Sequence, residues 1–272
     1  MRASFSKLAV AAFLAGPLLA GTAAPAETLR LAGTGGAMAM VEQITAGFAE
    51  ATGIAIEVIP GLGSKGGIHA TADGAIDLAV AARPLEPDEA SLGLTAKPMA
   101  RTALVFVTSH RQPNSVKSAE LTGIFKATNP KWADGSPMNL ILRTKFDSDT
   151  ILLGQRFEGM SDAIAVARLR PELPIAPTDQ DNATLAERMP GSFVQAGLSQ
   201  IVTEKRNLRF VPIDGVEPSL ETLESGEYPH KKEFYIVFSA KTKAVAERLL
   251  EFTRSEKGRR ILLETGNLPI AE

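Results

Sequence analysis

Leu29-Arg30-Leu31-Ala32-Gly33-Thr34-Gly35-Gly36 is the stretch on which the reading of this chain turns. Leu29 to Ala32 have strand character and run into a turn of small residues. The segment after Gly36 carries Met40, Val41, Ile44 and Phe48 at helical spacing and stops at Gly53. The pattern then repeats. Ile54, Ile56 and Val58 alternate with other residues up to Pro60, which predicts a second strand. Gly63-Ser64-Lys65-Gly66-Gly67 is a second small-residue turn, and Lys65 to Gly74 is a short helix candidate. Ile76-Asp77-Leu78-Ala79-Val80 reads as a third strand, with Pro84 at its exit. This β-α-β-α-β alternation implies a parallel, helix-covered sheet with its loops gathered at the strand C-termini.

A third turn of the same kind, Asp147-Ser148-Asp149-Thr150, lies just after Arg143. Each turn follows a strand end and opens a helix. Such a turn aims backbone N–H groups, at the positive end of a helix dipole, toward whatever sits in front of it. Three of them with a nearby Arg predict a buried oxyanion site assembled from distant segments.

The rest of the chain supplies a second α/β unit. Thr102 to Thr108 is an apolar run, long enough for a strand or a crossing. Ser118 to Lys126 is a helix with Leu121, Ile124 and Phe125 on one face, and Met138 to Leu142 a strand running into Arg143. A short helix is expected over Asn182 to Met189, strands at Leu208 to Ile213 and Phe234 to Phe238, and closing helices at Thr242 to Thr253 and Lys257 to Leu263. Alternation restarts near residue 110 and returns near residue 235. The expected architecture is two α/β lobes, 27–108 plus 238–272 and 109–237, joined by two crossings with a cleft between them.

The first 26 residues read as a secretory signal. Arg2 and Lys7 precede an apolar core from Leu8 to Ala20, and Ala24-Pro25-Ala26 fits a cleavage site before Glu27. The core is too short to span a membrane, and no Cys follows it for a lipid anchor, so a soluble periplasmic protein is expected. Cys is absent throughout, which excludes disulfides, thiolate chemistry and Cys-type metal sites. His69, His110 and His230 are far apart and lack metal-ligand spacing; each reads as a surface or turn residue. Without the signal, 27 basic residues stand against 31 acidic ones, net −4. That balance argues against nucleic acid as a partner. It does not argue against a small anion, because the local field counts more than the total.

At this point the chain resembles the periplasmic phosphate-binding proteins of bacterial ABC importers, within the larger class of two-lobe periplasmic binding proteins. Gly33-Thr34-Gly35-Gly36 is similar to that family's first anion turn, and Gly61 to Ile68 to its Gly-Ser-Ser-Gly-Gly turn. Asp77 to Leu85 resembles its third strand and Arg-Pro-Leu exit. Leu121 to Phe125 with Trp132 resembles its Ile-Phe…Trp segment, and Arg143 with Ser148-Asp149-Thr150 its Arg-Ser-Asp-Gly-Ser-Gly-Thr loop. Pro190-Gly191-Ser192-Phe193 resembles its Pro-Gly-x-Ile-Gly-Tyr segment, and Tyr228-Pro229 its return crossing. The resemblance runs nearly end to end. It implies a monomer that captures phosphate by lobe closure and presents it to an inner-membrane permease or to a sensor receptor, without covalent chemistry or a cofactor.

Two departures stand out. The family ends its third strand in an Asp that accepts a hydrogen bond from protonated phosphate; here that position is Ala82. The family has Gly before the Thr of the third turn; here Asp149 stands there, with one extra residue between Arg143 and the turn. Either Asp147 or Asp149 replaces the missing acceptor, or Asp147 is a helix cap, Asp149 faces solvent, and fully ionised oxyanions such as sulfate or molybdate become admissible.

The residues expected at the ligand are Thr34, Gly35, Gly36, Ser64, Gly66, Arg143, Asp147, Ser148, Asp149 and Thr150. Hydroxyls and backbone N–H groups donate to the lone pairs of a desolvated oxyanion, and the Arg143 guanidinium offers a planar, charged fork. Lys65 reads as solvated. Competing readings are weaker. Gly61-x-Gly63-x-x-Gly66 follows the second strand instead of the first, and the segment after it is too short for a dinucleotide fold. A hydrolase needs a nucleophile with its base, paired carboxylates or a metal cluster, and neither a Gly-x-Ser-x-Gly elbow nor metal spacing is present.

Overall fold

The computed structural model describes residues 28–270, so the expected signal segment lies outside the described residues. Strand β1 (Leu29–Gly33) leads through a 3-10 turn (Gly35–Ala37) into helix α1 (Met38–Thr52). The buried stripe of α1 is Met38, Met40, Val41, Ile44 and Phe48, and Gly53 ends the helix at φ 74°, its N–H donating back to the Ala49 carbonyl. Strand β2 (Ile56–Ile59), helix α2 (Gly63–Ala72) and strand β3 (Leu78–Ala81) complete the first unit. Strands β2 and β3 both pair with β1 in parallel, as the alternation predicts.

After helix α3 (Pro87–Ala90) the apolar run proves to be the end of a much longer strand, β4 (Leu94–Thr108). Helix α4 (Leu121–Lys126) follows. The strand expected over Met138 to Leu142 is two short pieces in different sheets, β5 (Asn139–Leu140) and β6 (Leu142–Arg143). Helices α5 (Ser148–Arg156) and α6 (Met160–Ala167), strand β7 (Ile175–Ala176) and helix α7 (Asp179–Arg188) come next. Then follow β8 (Ser192–Gly197), α8 (Leu198–Thr203), β9 (Arg209–Val211) and α9 (Leu220–Ser225). The chain closes with β10 (Lys231–Ser239), α10 (Lys243–Arg254), α11 (Glu256–Glu264) and β11 (Leu268–Pro269).

The main sheet runs β2-β1-β3-β10-β4-β8-β5, with β9 and β11 also on β4, while β6 and β7 pair separately in parallel. Strand β4 is the common member of two lobes. Its first part, Leu94 to Ala103, pairs with β10; its second, Leu104 to Thr108, pairs with β8 and β9. Each lobe has its own apolar core. In one, Leu31, Phe48, Val80, Phe234 and Leu249 are fully buried. In the other, Phe106 stacks on Phe193 with ring centres 4.8 Å apart, and Trp132 meets Phe193 edge-on. Fully burying a side chain of this size contributes about 1.5–3 kcal/mol. His230 departs from the surface reading. It is buried beside Phe157 and Tyr228. Among the described residues no helix is long and apolar enough to cross a membrane.

Candidate functional site

Gly33 holds a φ of +150° at the end of β1, and a Cβ there would lie 1.9 Å from the Val80 carbonyl oxygen. That close approach sets the first turn. Thr34 N–H donates to the same carbonyl at 2.8 Å, which directs Gly35 and Gly36 across the sheet end. The second turn is held by Ser64, whose hydroxyl accepts from Ala82 N–H at 3.1 Å. Gly67 lets α2 approach β1, since a Cβ would sit 3.0 Å from the Gly33 Cα.

The third turn begins with Arg143 at the end of β6. Its side chain is buried; Nη1 donates to the Ala176 carbonyl at 2.8 Å and Nη2 to Asp147 Oδ2 at 2.7 Å. Asp147 is the N-cap of α5 and accepts from the N–H groups of Asp149 and Thr150, at 3.1 Å each. Ser148 Oγ donates to Ser64 Oγ at 2.9 Å, so the second and third turns touch.

Thr34, Gly35, Ser64, Arg143, Asp147 and Ser148 line one cavity of about 220 Å³. Gly36 and Asp149 lie behind that lining, against a buried group of charges described next. Thr150 turns its N–H to Asp147, and Gly66 sits within α2, off the cavity. Lys65 is exposed, its ammonium 5.6 Å above the Phe146 ring. Asp147 is thus a cap, while Asp149 does not face solvent. It is buried, with its carboxylate 2.5 Å from Lys232 Nζ.

Two members of this charge cluster were not anticipated from the sequence. Lys232 projects from β10 and is 1% exposed. Asp179 opens α7, lies against Gly36, whose backbone N–H favours its charged form, and has Oδ2 3.4 Å from Arg143 Nη2. Beside it, Gln180 Nε2 donates to the Gly35 carbonyl at 3.0 Å. Helix α7 starts at Asp179, three residues before the start expected at Asn182. The usable signal was Thr178, whose hydroxyl accepts from Asp181 N–H as a helix cap. For Lys232 the signal was strand alternation: it is in phase with Phe234 and Ile236, all three buried.

Asp147, Asp149 and Asp179 therefore share a buried space with Arg143 and Lys232. Burial pushes the Asp147 carboxyl up to about 6, with the Asp149 and Asp179 carboxylates adding to the rise and Arg143 and Lys232 opposing it. Burial also raises Asp179, against the pull of Arg143. For Lys232, burial works against the charge but Asp149 and Asp179 outweigh it, so its pKa lies above the ordinary lysine value.

The fold is two α/β lobes with small-residue turns meeting at a cleft. A family profile described as a PBP superfamily domain matches residues 20–257, and the chain belongs to that superfamily as a substrate-binding protein. A comparison with curated proteins gives no match. Among solved structures, a putative phosphate ABC transporter substrate-binding protein with bound phosphate from Clostridium perfringens is similar, with a TM-score of 0.76 and 16% identity over 89% of this chain and 99% of that one. An ABC-type phosphate transport receptor from Vibrio cholerae has a TM-score of 0.64 and 17% identity over 89% and 100%. The periplasmic molybdate-binding protein of Azotobacter vinelandii has a TM-score of 0.60 and 13% identity over 89% and 100%. At these identities the likeness is one of fold.

Proposed function

We propose that this protein captures a small oxyanion, phosphate by preference, between its lobes in the periplasm and delivers it to an ABC importer of the inner membrane. The observation that carries the reading is the shared cavity. Thr34 and Gly35, Ser64, and Arg143 with Ser148 come from three separate turns and converge on one space of about 220 Å³. Two of the similar structures are of phosphate-transport binding proteins and one is of a molybdate-binding protein, which supports an oxyanion in such a space.

The carboxylates set the ligand's protonation. A fully ionised oxyanion would face Asp147 as acceptor against acceptor. A ligand with an O–H has a donor to offer it. Phosphate keeps such a proton near neutrality; sulfate does not. The acceptor expected at Ala82 is then supplied by Asp147 in the third turn. Ligand bridging both lobes favours the closed form, which the membrane partner reads.

The test is titration calorimetry on the phosphate-stripped protein lacking residues 1–26, with phosphate, sulfate, molybdate and tungstate. Phosphate binding with no sulfate response is expected. A preference for sulfate, molybdate or tungstate overturns the phosphate assignment, and silence for all four removes the oxyanion.

A further inference from the structure

We infer that Asp179 is a tethered stand-in for the ligand: its carboxylate occupies the oxyanion seat and holds the cleft closed when no ligand is bound. The inference rests on the oxyanion reading of the site but concerns what fills it from within.

The contacts of Asp179 are those an incoming oxyanion would make. It lies against Gly36 of the first turn, whose backbone N–H favours its charged form. Its Oδ2 is 3.4 Å from Arg143 Nη2. Lys232 Nζ stands beside it: a Cβ built on Gly36 would lie 3.4 Å from that ammonium and 3.5 Å from Asp179 Oδ1. The seat is also tight. A Cβ on Gly35 would lie 2.7 Å from Asp179 Oδ2, so the carboxylate rests directly on the glycine turn.

Asp179 and two of its neighbours, Gly36 and Lys232, come from different lobes, while Arg143 shares the lobe of Asp179. Helix α7 packs with β7 and β8 in the second lobe, whereas Gly36 follows β1, and Lys232 lies on β10 in register with β4 and next to β3, in the first. The carboxylate therefore bridges the cleft. Gln180 to the Gly35 carbonyl, Ser148 to Ser64 and Asp149 to Lys232 add three further bridges that need no ligand. A tethered group has a high effective concentration. A free oxyanion must displace it, and the apparent affinity falls by the fraction of molecules in which the seat is free.

The chain has no cysteine, so a cysteine pair can be placed and labelled without background. Glu42→Cys on α1 and Asp162→Cys on α6 are both exposed, one on each lobe. Spin labels on this pair, read by pulsed dipolar spectroscopy in the phosphate-stripped protein, report cleft opening. The expected result is a short, narrow distance distribution with Asp179 present and a longer, broader one with Asp179→Ala. Added phosphate then restores the short distance in the variant, with an affinity roughly tenfold tighter than in its parent. Asp179→Asn, which keeps the shape without the charge, is expected to shift the same way. Both variants leave two carboxylates against two cations, a balanced cluster. Identical distributions with and without Asp179 overturn the inference. If Asp179→Ala opens the cleft while phosphate changes neither protein, the tethered clamp stands and the oxyanion reading falls.

Discussion

The Lys232 ammonium lies 2.5 Å from the Asp149 carboxylate, and their side chains are 1% and 4% exposed. An ion pair this deep is favourable only while both partners remain. Taking two charges out of water costs several kcal/mol each, and their mutual attraction offsets that cost only as a pair. Lys232→Met is therefore expected to destabilise the protein by about 3–5 kcal/mol, because Asp149 is left charged and buried. Combining it with Asp149→Asn should recover much of the loss. Urea midpoints for the two single variants and the double variant check this; additive losses would mean the pair is not coupled.

Gly33 makes a sharper demand. Its φ of +150° and the 1.9 Å approach of a Cβ to the Val80 carbonyl leave no room for any side chain. Gly33→Ala is expected to cost roughly 3 kcal/mol or more through backbone strain and displacement of β3. Gly53→Ala is the control. Its φ is also positive, but a Cβ there would meet nothing within 4 Å, so its loss should be clearly smaller. Equal losses at the two sites, measured by thermal unfolding, would refute the packing argument.

Asp147 gives the cluster a pH dependence of definite sign. Its folded pKa of about 6 is above the ordinary value of 3.8, so between those limits the native state holds more protons than the unfolded one. The Asp147 contribution to stability is then present at the acid end of that window and is lost as pH rises through it. Asp147→Asn keeps an oxygen for the α5 cap but does not titrate. Relative to the parent, this variant is expected to gain stability steadily from pH 4 to 6.5 in denaturant titrations. A difference that stays flat or runs the other way contradicts the shift.

Ser148 is expected to separate binding from folding. Its hydroxyl bridges to Ser64 at the cavity wall, and its loss removes one hydrogen bond without opening a core. Ser148→Ala should change stability by only about 1 kcal/mol while weakening oxyanion binding about tenfold. Calorimetry beside a urea titration decides it; unchanged affinity would remove Ser148 from the ligand contacts.

The sequence reading reached the three turns because strand ends, glycines and small polar residues carry local signals. Thr34 and Gly35, Ser64, and Arg143, Asp147 and Ser148 do meet at one cavity, although they are separated by up to about a hundred residues of chain. What it missed was long-range. Nothing local says that Asp179 will rest on Gly35, or that Lys232 will find Asp149, because those contacts arise only when α7 meets the first turn and α5 meets β10. Strand length was underestimated for a related reason. Lys97 and Arg101 interrupt the apolar pattern of β4, yet both face carboxylates, Glu247 and Glu233, that sequence order keeps far away.

The route of the chain through β4 and β10 also bears on how the molecule is made. The core around Phe106 and Phe193 draws almost wholly on residues between Ala103 and Tyr228. The core around Leu31 and Phe48 needs Phe234, Leu249 and Leu262 from the far end. During synthesis, the half that starts first therefore finishes last. Strands β1 to β3 must wait, with an apolar face uncovered and the β3 edge unpaired, until β10 and the two closing helices emerge. That interval is when a holding chaperone would have something to grip, and when a premature stop codon would release a chain with one finished lobe and one exposed one.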